Sequence, residues 1–384
     1  MNPYIEAFKQ KFNYNPSLFR SPGRINLIGD HTDYNDGYVL PAAIDKGIYL
    51  AISLNDTNHC RIQSLDFEDE AEVELSQDLQ PATKGWLNYI LGVIAQFQSS
   101  GYQIKGFDCV FGGDIPIGAG LSSSAALECV TVRALMELHG IEIPLIQQIQ
   151  MAQKAEHEFA GVKCGIMDQF ASAMGKAGQA IQLDCRTLDF QYIPVHLEDF
   201  SLILVDSKVK HNLGDSAYNK RQQECQEGFK LIQNSYPGIR ALRDVDSDML
   251  LGLKPDLDPI IFKRCKHVVS ENQRVLHASA ALKNGNLKEL GRLMFLSHFS
   301  LSNDYQVSCN ELDFLVNVAQ LSEGVLGARM MGGGFGGCTI NLIHKDYVDL
   351  FKTKVSSTFY NKFSLSPGIY EVSISEGTSR IHCL

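Results

Sequence analysis

Closely spaced glycines and serines in the stretch 112–127 are residue types that could hold a phosphate group. Gly118 and Gly120 let the backbone approach an anion, and residues 122–124 place hydroxyls and backbone N–H groups where a helix begins. The helix is indicated by apolar residues at helical spacing, namely Leu127, Val130, Ala134 and Leu138. The stretch therefore predicts a phosphate-binding loop, and the alternative is a glycine-rich turn with a serine cap.

Two other nucleotide-binding patterns are excluded. The Walker pattern Gly-x-x-x-x-Gly-Lys-Ser/Thr does not occur, since the only Gly-Lys pair, Gly175-Lys176, is followed by Ala177. Gly332, Gly334 and Gly337 have the spacing of a dinucleotide-binding fingerprint. They precede an expected strand and open no helix, so the context of a Rossmann site is missing. Any nucleotide is therefore expected to bind without a Walker lysine.

Polar and charged side chains are crowded in the segment 21–41. Arg24, Asp30, His31 and Asp33 surround a short apolar run. Placing such groups together is costly unless they hydrogen-bond a ligand or each other. The segment therefore predicts a polar ligand site, and the alternative is a polar turn on the surface.

The elements that must position these residues follow from apolar periodicity and from chain breakers. Pro144 suits the first turn of a helix that runs to about Phe159, and a glycine-bracketed loop at 161–170 then carries one acid, Asp168. Strands are expected at 48–54, 60–65, 107–111, 180–183, 202–205, 338–343 and 368–373. Helices are expected at 5–12, 86–97, 218–234, 259–283, 287–301 and 310–319.

The length and charge of the chain limit the classes of protein to which it can belong. A chain of 384 residues with 45% hydrophobic residues suits two domains, and we expect them at 1–198 and 199–384. The net charge is −10, from 34 Lys+Arg against 44 Asp+Glu, and the basic residues are scattered. This balance disfavours a nucleic acid or an anionic membrane as partner, so a small-molecule ligand is expected.

The cysteines and the N-terminus predict a cytoplasmic protein. Ten cysteines occur singly, without a Cys-x-x-Cys pair, which is typical of reduced core thiols rather than of a disulfide framework or a zinc site. The first residues lack a basic region followed by an apolar one, and no apolar run approaches membrane-spanning length. The sequence leaves the oligomeric state open, and a monomer is the expectation.

Three stretches resemble the three motifs of the GHMP small-molecule kinases. Residues 116–125 resemble the second, phosphate-binding motif, and residues 332–337 resemble the third. Residues 23–34, Gly-Arg-Ile-Asn-Leu-Ile-Gly-Asp-His-Thr-Asp-Tyr, are similar to the signature of the galactokinase branch at every position but one. Further matches extend the resemblance over nearly the whole chain, at 86–89, 155–161, 164–169 and 216–221.

The resemblance implies an α+β fold and a kinase reaction. The fold has an N-terminal α/β lobe and a C-terminal ferredoxin-like α/β lobe, with the active site between them. The reaction transfers the γ-phosphate of ATP to the C1 hydroxyl of α-D-galactose and gives galactose 1-phosphate and ADP, the first committed step of galactose breakdown. ATP is then the co-substrate and Mg²⁺ the cofactor.

The resemblance also implies a role for each matched residue. Asp168 is the acid beside the C1 hydroxyl and Arg24 the cation near the transferred phosphoryl group, as in-line phosphoryl transfer requires. Ser124 and Glu156 hold Mg²⁺, with Ser123 as an alternative to Ser124. The sugar is contacted by Asp30, His31, Thr32, Asp33, Gly165 and Tyr218. The nucleotide is contacted by Gly118, Ala119, Gly120, Leu121, Ser122, Ser123 and Ser124 around the phosphates, and by Ser64 and Trp86 near the nucleoside.

Each of these residues has a simpler interpretation when it is taken singly. Asp168 could cap a helix that starts at Gln169, and Glu156 could be a solvated helix residue. Three others could be ordinary core or helix-start residues, namely His31, Tyr218 and Trp86. Their joint occurrence at matching motif positions favours the functional interpretation.

The departure from the signature is Asp30, where glutamate is usual. Aspartate is one methylene shorter, so its carboxylate reaches about 1.5 Å less far toward a sugar hydroxyl. We therefore expect weaker galactose binding than in an Asp30→Glu variant.

Two competing functions stay open, a related sugar-1-kinase acting on N-acetylgalactosamine or arabinose, and a catalytically silent sensor that binds galactose and ATP. Against the sensor, no residue that the chemistry requires is missing.

Overall fold

Strands and helices alternate in the first half of the chain, and helices dominate the second. The computed structural model describes residues 2–75, 78–116, 118–209 and 214–382, with only the backbone for 214–216. The strands are β1 (Ser17–Asn26), β2 (Tyr38–Val39), β3 (Pro41–Leu54), β4 (His59–Ser64), β5 (Asp69–Glu74), β6 (Phe107–Gly113), β7 (Gln179–Asp184), β8 (Phe190–Pro194), β9 (Phe200–Asp206), β10 (Val325–Met330), β11 (Cys338–His344), β12 (Gly368–Val372) and β13 (Ser379–Ile381). The α-helices are α1 (Pro3–Phe12), α2 (Gly85–Ser99), α3 (Ser123–His139), α4 (Leu145–Ala155), α5 (Met167–Met174), α6 (Gly214–Ser235), α7 (Ser247–Gly252), α8 (Pro259–Lys283), α9 (Leu287–Ser300), α10 (Asn310–Gln320) and α11 (Val348–Phe363).

The first lobe is built on a six-stranded sheet in the order β13-β1-β3-β6-β4-β5. All neighbours in it are antiparallel except the parallel pair β4 and β6. Helix α3 packs on β1 and β3, and most of β1 is buried. A smaller sheet, β2-β7-β8, completes this lobe. Because β6 leads directly into the glycine-rich stretch, the sheet holds the start of that loop in place.

The second lobe is built on an antiparallel sheet in the order β10-β11-β9-β12. Counted within the lobe, this is the strand order 2-3-1-4 of a ferredoxin-like arrangement. Long helices connect β9 to β10, and one of them, α8, begins at Pro259 with the Asp258 side chain capping its first turn. The expected α+β class with two lobes is confirmed.

Most expected elements are present, with shifts of a few residues at their ends, and α8 has the bounds predicted. The expected elements did not include the strands β1, β2, β5, β8, β10 and β13 or the helices α7 and α11, and β3 begins seven residues before the expected strand. Strand β1 lacks the alternation of apolar and polar residues that marks a strand, because eight of its ten residues are buried. The interpretation of 21–41 as a surface turn is wrong, since the first part of that segment is this buried strand.

Two further observations concern the chain as a whole. No helix within the described residues is long and apolar enough to cross a membrane. The nine cysteines in the described ranges are free thiols, and Cys383 lies outside those ranges. The division at residues 198 and 199 stays a prediction, and β13 joins the first lobe's sheet from beyond it.

Candidate active site

Arg24 on β1 and Asp168 on α5 form a bidentate ion pair. Arg24 Nε donates to Asp168 Oδ1 at 2.7 Å and Nη2 donates to Oδ2 at 2.6 Å. Arg24 Nη1 also donates to the carbonyl of Gly120 at 2.7 Å, and Ser122 Oγ donates to Asp168 Oδ2. Burial disfavours the charge on Arg24, but the carboxylates of Asp168, Asp30 and Asp33 together raise the pKa of the guanidinium. The pair therefore links the carboxylate to the glycine-rich loop.

Helix geometry rules out the two capping alternatives. Helix α5 begins at Met167 with Ile166 before it, so Asp168 lies inside the first turn and is no cap. Ser122 precedes α3 with a φ of +57° and gives its side-chain hydrogen bond to Asp168 rather than to the helix N-terminus. The two side chains thus hydrogen-bond each other rather than completing a helix end.

The two glycine-rich loops lie against each other. Gly118 and Gly120 have φ values of +76° and +72°, which glycine adopts without strain. In the loop between β10 and β11, a side chain on Gly332 would lie 3.4 Å from the carbonyl of Gly120, and one on Gly337 would lie 3.4 Å from that of Ala119. The expectation that the second glycine cluster precedes a strand is confirmed. Ile117 of the second motif lies outside the described residues.

A bulge in β1 brings the first motif to the same place. The register of β1 against β3 shifts between Pro22 and Arg24, and Arg24 N donates to the carbonyl of Leu121 at 3.2 Å. A side chain on Gly23 would lie 2.7 Å from that same carbonyl oxygen. Glycine at 23 therefore allows the strand to pass close to the phosphate-binding loop.

A cavity of about 250 Å³ opens between the lobes beside the Arg24–Asp168 pair. Its size is at the lower end for ligand sites, which suits a small polar molecule. The wall includes predicted site residues from the first lobe and Tyr218 and the 332–335 loop from the second. The predicted residues in the wall are Arg24, Asp30, His31, Asp33, Glu156, Gly165, Asp168 and Tyr218.

Asp33 and His31 provide the polar part of this wall. Burial, and then the nearby charge of Asp168, raise the pKa of Asp33 to about 7. A side chain on Gly165 would lie 1.9 Å from Asp33 Oδ2, so only glycine leaves room for the carboxylate. The His31 ring packs 5.5 Å from that of Tyr218. Carboxylate, imidazole and aromatic ring together can bind a polyhydroxylated ligand.

Asp30 is held by protein groups from both lobes. Asn26 Nδ2 donates to Oδ1 at 2.7 Å, while Arg329 and the backbone N–H of Gly332, at 3.1 Å, donate to Oδ2. Arg329 is fully buried and Asp30 is 1% exposed. His267 Nε2, on α8, lies 3.1 Å from the Asp30 carbonyl. The residue that departs from the signature therefore ties the first motif to the third.

Ser124 and Glu156 meet at the end of α4, where the chain forms a single π-helical turn (Glu156–Ala160). Glu156 is 7% exposed, so its interpretation as a solvated residue is wrong. Burial raises its pKa, and Gln169 Nε2 donates to it at 2.7 Å. Ser123 is exposed. A hydroxyl beside a buried carboxylate suits Mg²⁺, which takes few protein ligands, although the described residues hold no cluster of three or more His, Cys, Asp or Glu for a metal.

The predicted residues of the loop 118–124 lie outside the cavity wall, and so do Thr32, Ser64 and Trp86. Thr32 Oγ1 donates to the carbonyls of Gly29 and Tyr38, at 2.8 and 2.7 Å, and is fully buried. Ser64 and Trp86 lie near the end of β6, where Ser64 pairs with Phe111 and the Trp86 ring lies 5.5 Å from that of Phe111. Thr32 therefore shapes the first motif, and the other two lie where the sheet meets the glycine-rich loop.

Sequence reasoning missed several residues that complete the site. Arg329 lies three residues before the third motif, so its position in the sequence was a signal. Tyr34 ends the first motif, and its hydroxyl lies 2.7 Å from His31 Nδ1. No sequence motif marks Tyr305 or Glu128. Tertiary packing brings Tyr305 to His31 and Glu128 to Gln169.

Family models match three parts of the chain. Residues 6–54 match the galactokinase galactose-binding signature, residues 88–176 the N-terminal domain of GHMP kinases, and residues 278–361 the C-terminal domain of GHMP kinases.

Whole-chain relatives agree with these matches. A galactokinase of Thermotoga neapolitana is 43% identical over 362 residues, which is 94% of this chain and 99% of the relative. A galactokinase of Clostridium beijerinckii is 42% identical and covers 95% of each chain. The solved structure of Lactococcus lactis galactokinase complexed with galactose superposes with a TM-score of 0.95 at 36% identity, covering 98% of both chains. A Methanococcus jannaschii mevalonate kinase, 18% identical with a TM-score of 0.66 over 94% of this chain and 99% of that one, shares the fold. This chain belongs to the galactokinase family of the GHMP kinases.

Proposed function

We propose that this chain transfers the γ-phosphate of ATP to the C1 hydroxyl of α-D-galactose and releases galactose 1-phosphate and ADP. The observation that carries the proposal is the Arg24–Asp168 pair, which joins a polar cavity to a glycine-rich loop. The Lactococcus lactis relative is described with galactose bound, and the chain keeps that protein's fold over nearly its full length.

Asp168 accepts the proton of the C1 hydroxyl in this proposal. As the C1 oxygen bonds to the γ-phosphorus, the bond from that phosphorus to the bridging oxygen breaks, the proton passes to the carboxylate and ADP leaves. Arg24 holds the carboxylate through both of its oxygens and places positive charge near the transferred group. Ser122 adds a third hydrogen bond to the same carboxylate.

The sugar occupies the cavity between the lobes. Asp33, His31 and Tyr218 contact it from the wall, and Gly165 leaves room for the Asp33 carboxylate. Asp30 borders the same space, but its oxygens already accept three hydrogen bonds from the protein. Its acceptor capacity toward the sugar is therefore reduced, which fits weaker binding than glutamate would give.

ATP binds along the glycine-rich loop at the N-terminus of α3, where backbone N–H groups and the helix dipole favour phosphate. Ser64 and Trp86, at the end of β6, border the nucleoside. Ser124 and Glu156 would hold Mg²⁺, which when bound neutralises charge on the β- and γ-phosphates. The Ser124–Glu156 contact favours Ser124 over the exposed Ser123.

We also propose that the protein is cytosolic and monomeric. The described cysteines are free and mostly buried, as in a reducing compartment. The monomer rests on the sequence alone.

The test is an assay with ATP and Mg²⁺ across galactose, N-acetylgalactosamine, arabinose, glucose and mevalonate, with the phosphorylated position identified by NMR. We expect rapid turnover of galactose alone, with phosphate on C1. Faster turnover of N-acetylgalactosamine or arabinose would assign the related sugar-1-kinase. Binding of galactose and ATP by calorimetry without product would assign the silent sensor, and either result overturns the proposal.

A further inference from the structure

Helix α8 of the second lobe makes hydrogen bonds to the backbone of the loop 29–38, which carries three of the residues in the cavity wall. At one end of the loop, Gly29 N donates to Glu271 Oε1 at 3.0 Å. At the other end, Tyr38 N donates to Asn272 Oδ1 at 2.8 Å. Glu271 and Asn272 are buried. Two neighbouring side chains of one helix therefore hold both ends of the loop.

A third side chain of α8, that of His267, holds the loop at Asp30. His267 is fully buried, and its Nε2 lies 3.1 Å from the Asp30 carbonyl. A carbonyl oxygen only accepts hydrogen bonds, so Nε2 carries the hydrogen whatever the charge of the ring. The orientation of the Asn272 amide is fixed as well, because its Nδ2 donates to the Val268 carbonyl at 2.9 Å and its oxygen faces a backbone N–H. Donor and acceptor are thus unambiguous in all three bonds from α8 to the loop.

The backbone directly after the Asp30 carbonyl has an unusual conformation. His31 has a φ of +67°, in the left-handed region that residues other than glycine adopt at a cost in energy. Such a conformation persists only where the surrounding contacts fix it. His267 donates to the carbonyl before His31, and Asn35 Nδ2 donates to the carbonyl of His31 itself at 2.9 Å. The turn that places His31 in the cavity wall is therefore fixed in part from α8.

Two glycines allow the loop to lie close to this helix. A side chain on Gly29, whose φ is +106°, would lie 2.8 Å from Val275 Cγ2, and one on Gly37 would lie 2.5 Å from Asn272 Oδ1. Within the loop, Gly37 N donates to the Thr32 carbonyl at 2.8 Å. The loop is closed on itself, so a shift of its ends against α8 would also move the cavity-wall residues between them.

We infer that three buried side chains of α8 are positioning residues, which fix the loop 29–38 so that its cavity-wall residues meet the sugar in the correct direction. The three are His267, Glu271 and Asn272, and the cavity wall includes none of them. The inference rests on the proposed function for the identity of the sugar. The described hydrogen bonds of α8 include none to the loop 118–124, so the effect should fall on the sugar rather than on ATP.

Steady-state kinetics of matched variants test this role. His267→Leu removes the donor to the Asp30 carbonyl, and Asn272→Leu removes the acceptor of Tyr38 N. Each should raise the KM for galactose about tenfold, the effect of one buried hydrogen bond, and leave the KM for ATP within about twofold. His267→Gln keeps a nitrogen donor at the same number of bonds from the backbone, and its KM for galactose should stay within about threefold of wild type.

A control variant separates positioning from a loss of stability. Ile261 lies on the same helix and is buried in the core of the second lobe. Ile261→Ala should lower the Tm because it leaves a cavity, but should keep both KM values within about twofold of wild type. Unchanged KM for galactose in His267→Leu and Asn272→Leu overturns the inference. A rise in Ile261→Ala as large as theirs, or no difference between His267→Leu and His267→Gln, also overturns it.

Hydrogen exchange measured by mass spectrometry tests the hold on the loop without any substrate. In the unliganded wild type, peptides that span 29–38 should exchange slowly, and in Asn272→Leu their exchange should be at least about tenfold faster, with 118–124 unchanged. Wild-type exchange in 29–38 as fast as in the exposed turn 56–58 overturns the inference, even where a variant fails to fold. Failure of the wild type to phosphorylate galactose overturns the proposed function instead, and the exchange result still decides whether α8 holds the loop.

Discussion

Arg24 grips both carboxylate oxygens of Asp168 while its third nitrogen donates to the carbonyl of Gly120. One arginine therefore joins the first motif to Asp168, which is 144 residues away along the chain, and to the glycine-rich loop at Gly120, which is 96 residues away. Two parallel hydrogen bonds fix direction as well as distance, so the carboxylate cannot turn away from the cavity without breaking both.

Ser124→Ala should weaken the response to Mg²⁺ far more than Ser123→Ala. Ser124 contacts the buried Glu156, whereas Ser123 is exposed. We expect the Mg²⁺ concentration for half-maximal activity to rise about tenfold in Ser124→Ala, a loss of about 1.4 kcal/mol. Titrating Mg²⁺ at saturating ATP and galactose measures this. A larger rise in this Mg²⁺ concentration for Ser123→Ala than for Ser124→Ala would assign the metal ligand to Ser123 instead.

Gly165→Ala should damage sugar binding specifically. The added carbon would lie 1.9 Å from Asp33 Oδ2 and must displace that carboxylate. We expect the KM for galactose to rise more than about tenfold, with the KM for ATP nearly constant. Gly238→Ala is the control, because its added carbon meets nothing within 4 Å. Equal KM values for galactose in the two variants would show that Asp33 does not contact the sugar.

Asp33 should make the unliganded protein less stable as the pH rises. Burial and Asp168 raise its pKa to about 7, so the folded state holds this proton more tightly than the unfolded chain. The stabilising effect is complete below about pH 4, the usual pKa of aspartate, and is lost as the pH rises through 7. The Tm of Asp33→Asn minus the Tm of wild type should therefore increase between pH 4 and pH 8. A difference in Tm that does not change with pH would contradict this assignment.

Asp30→Glu should lower the KM for galactose. The longer side chain can leave one oxygen with Arg329 and bring the other about 1.5 Å further toward the cavity. Asp30→Asn is the comparison, because it keeps the size but leaves the fully buried Arg329 without a counter-ion and should lower the Tm. A glutamate variant with no gain in galactose affinity would show that Asp30 serves only the link to the third motif.

Local patterns predicted the parts of the fold that local physics decides. Helix α8 has a proline at its first position, an aspartate cap and apolar residues at helical spacing, and its bounds were predicted without error. The tight turn of the glycine-rich loop was predicted from Gly118 and Gly120, which have positive φ values in the structure. These signals lie within a few residues of the feature that they predict.

The rest depends on contacts between distant residues. Strand β1 is buried along most of its length, so it lacks the alternation that marks a strand with one exposed face. The pair formed by Asp30 and Arg329 spans 299 residues, and the Tyr34–Tyr305 contact spans 271. No spacing in the sequence predicts such pairs, because they form only when the second lobe packs on the first motif.

The most direct test of this mechanism is the turnover number of Asp168→Asn with galactose, measured beside its affinity for ATP. The amide keeps the shape of the side chain but cannot accept the hydroxyl proton as a carboxylate does. We expect kcat to fall by at least about a hundredfold, with the Kd for ATP within about threefold of wild type and the protein folded by circular dichroism. Retention of the wild-type kcat would contradict the role of Asp168 as the proton acceptor.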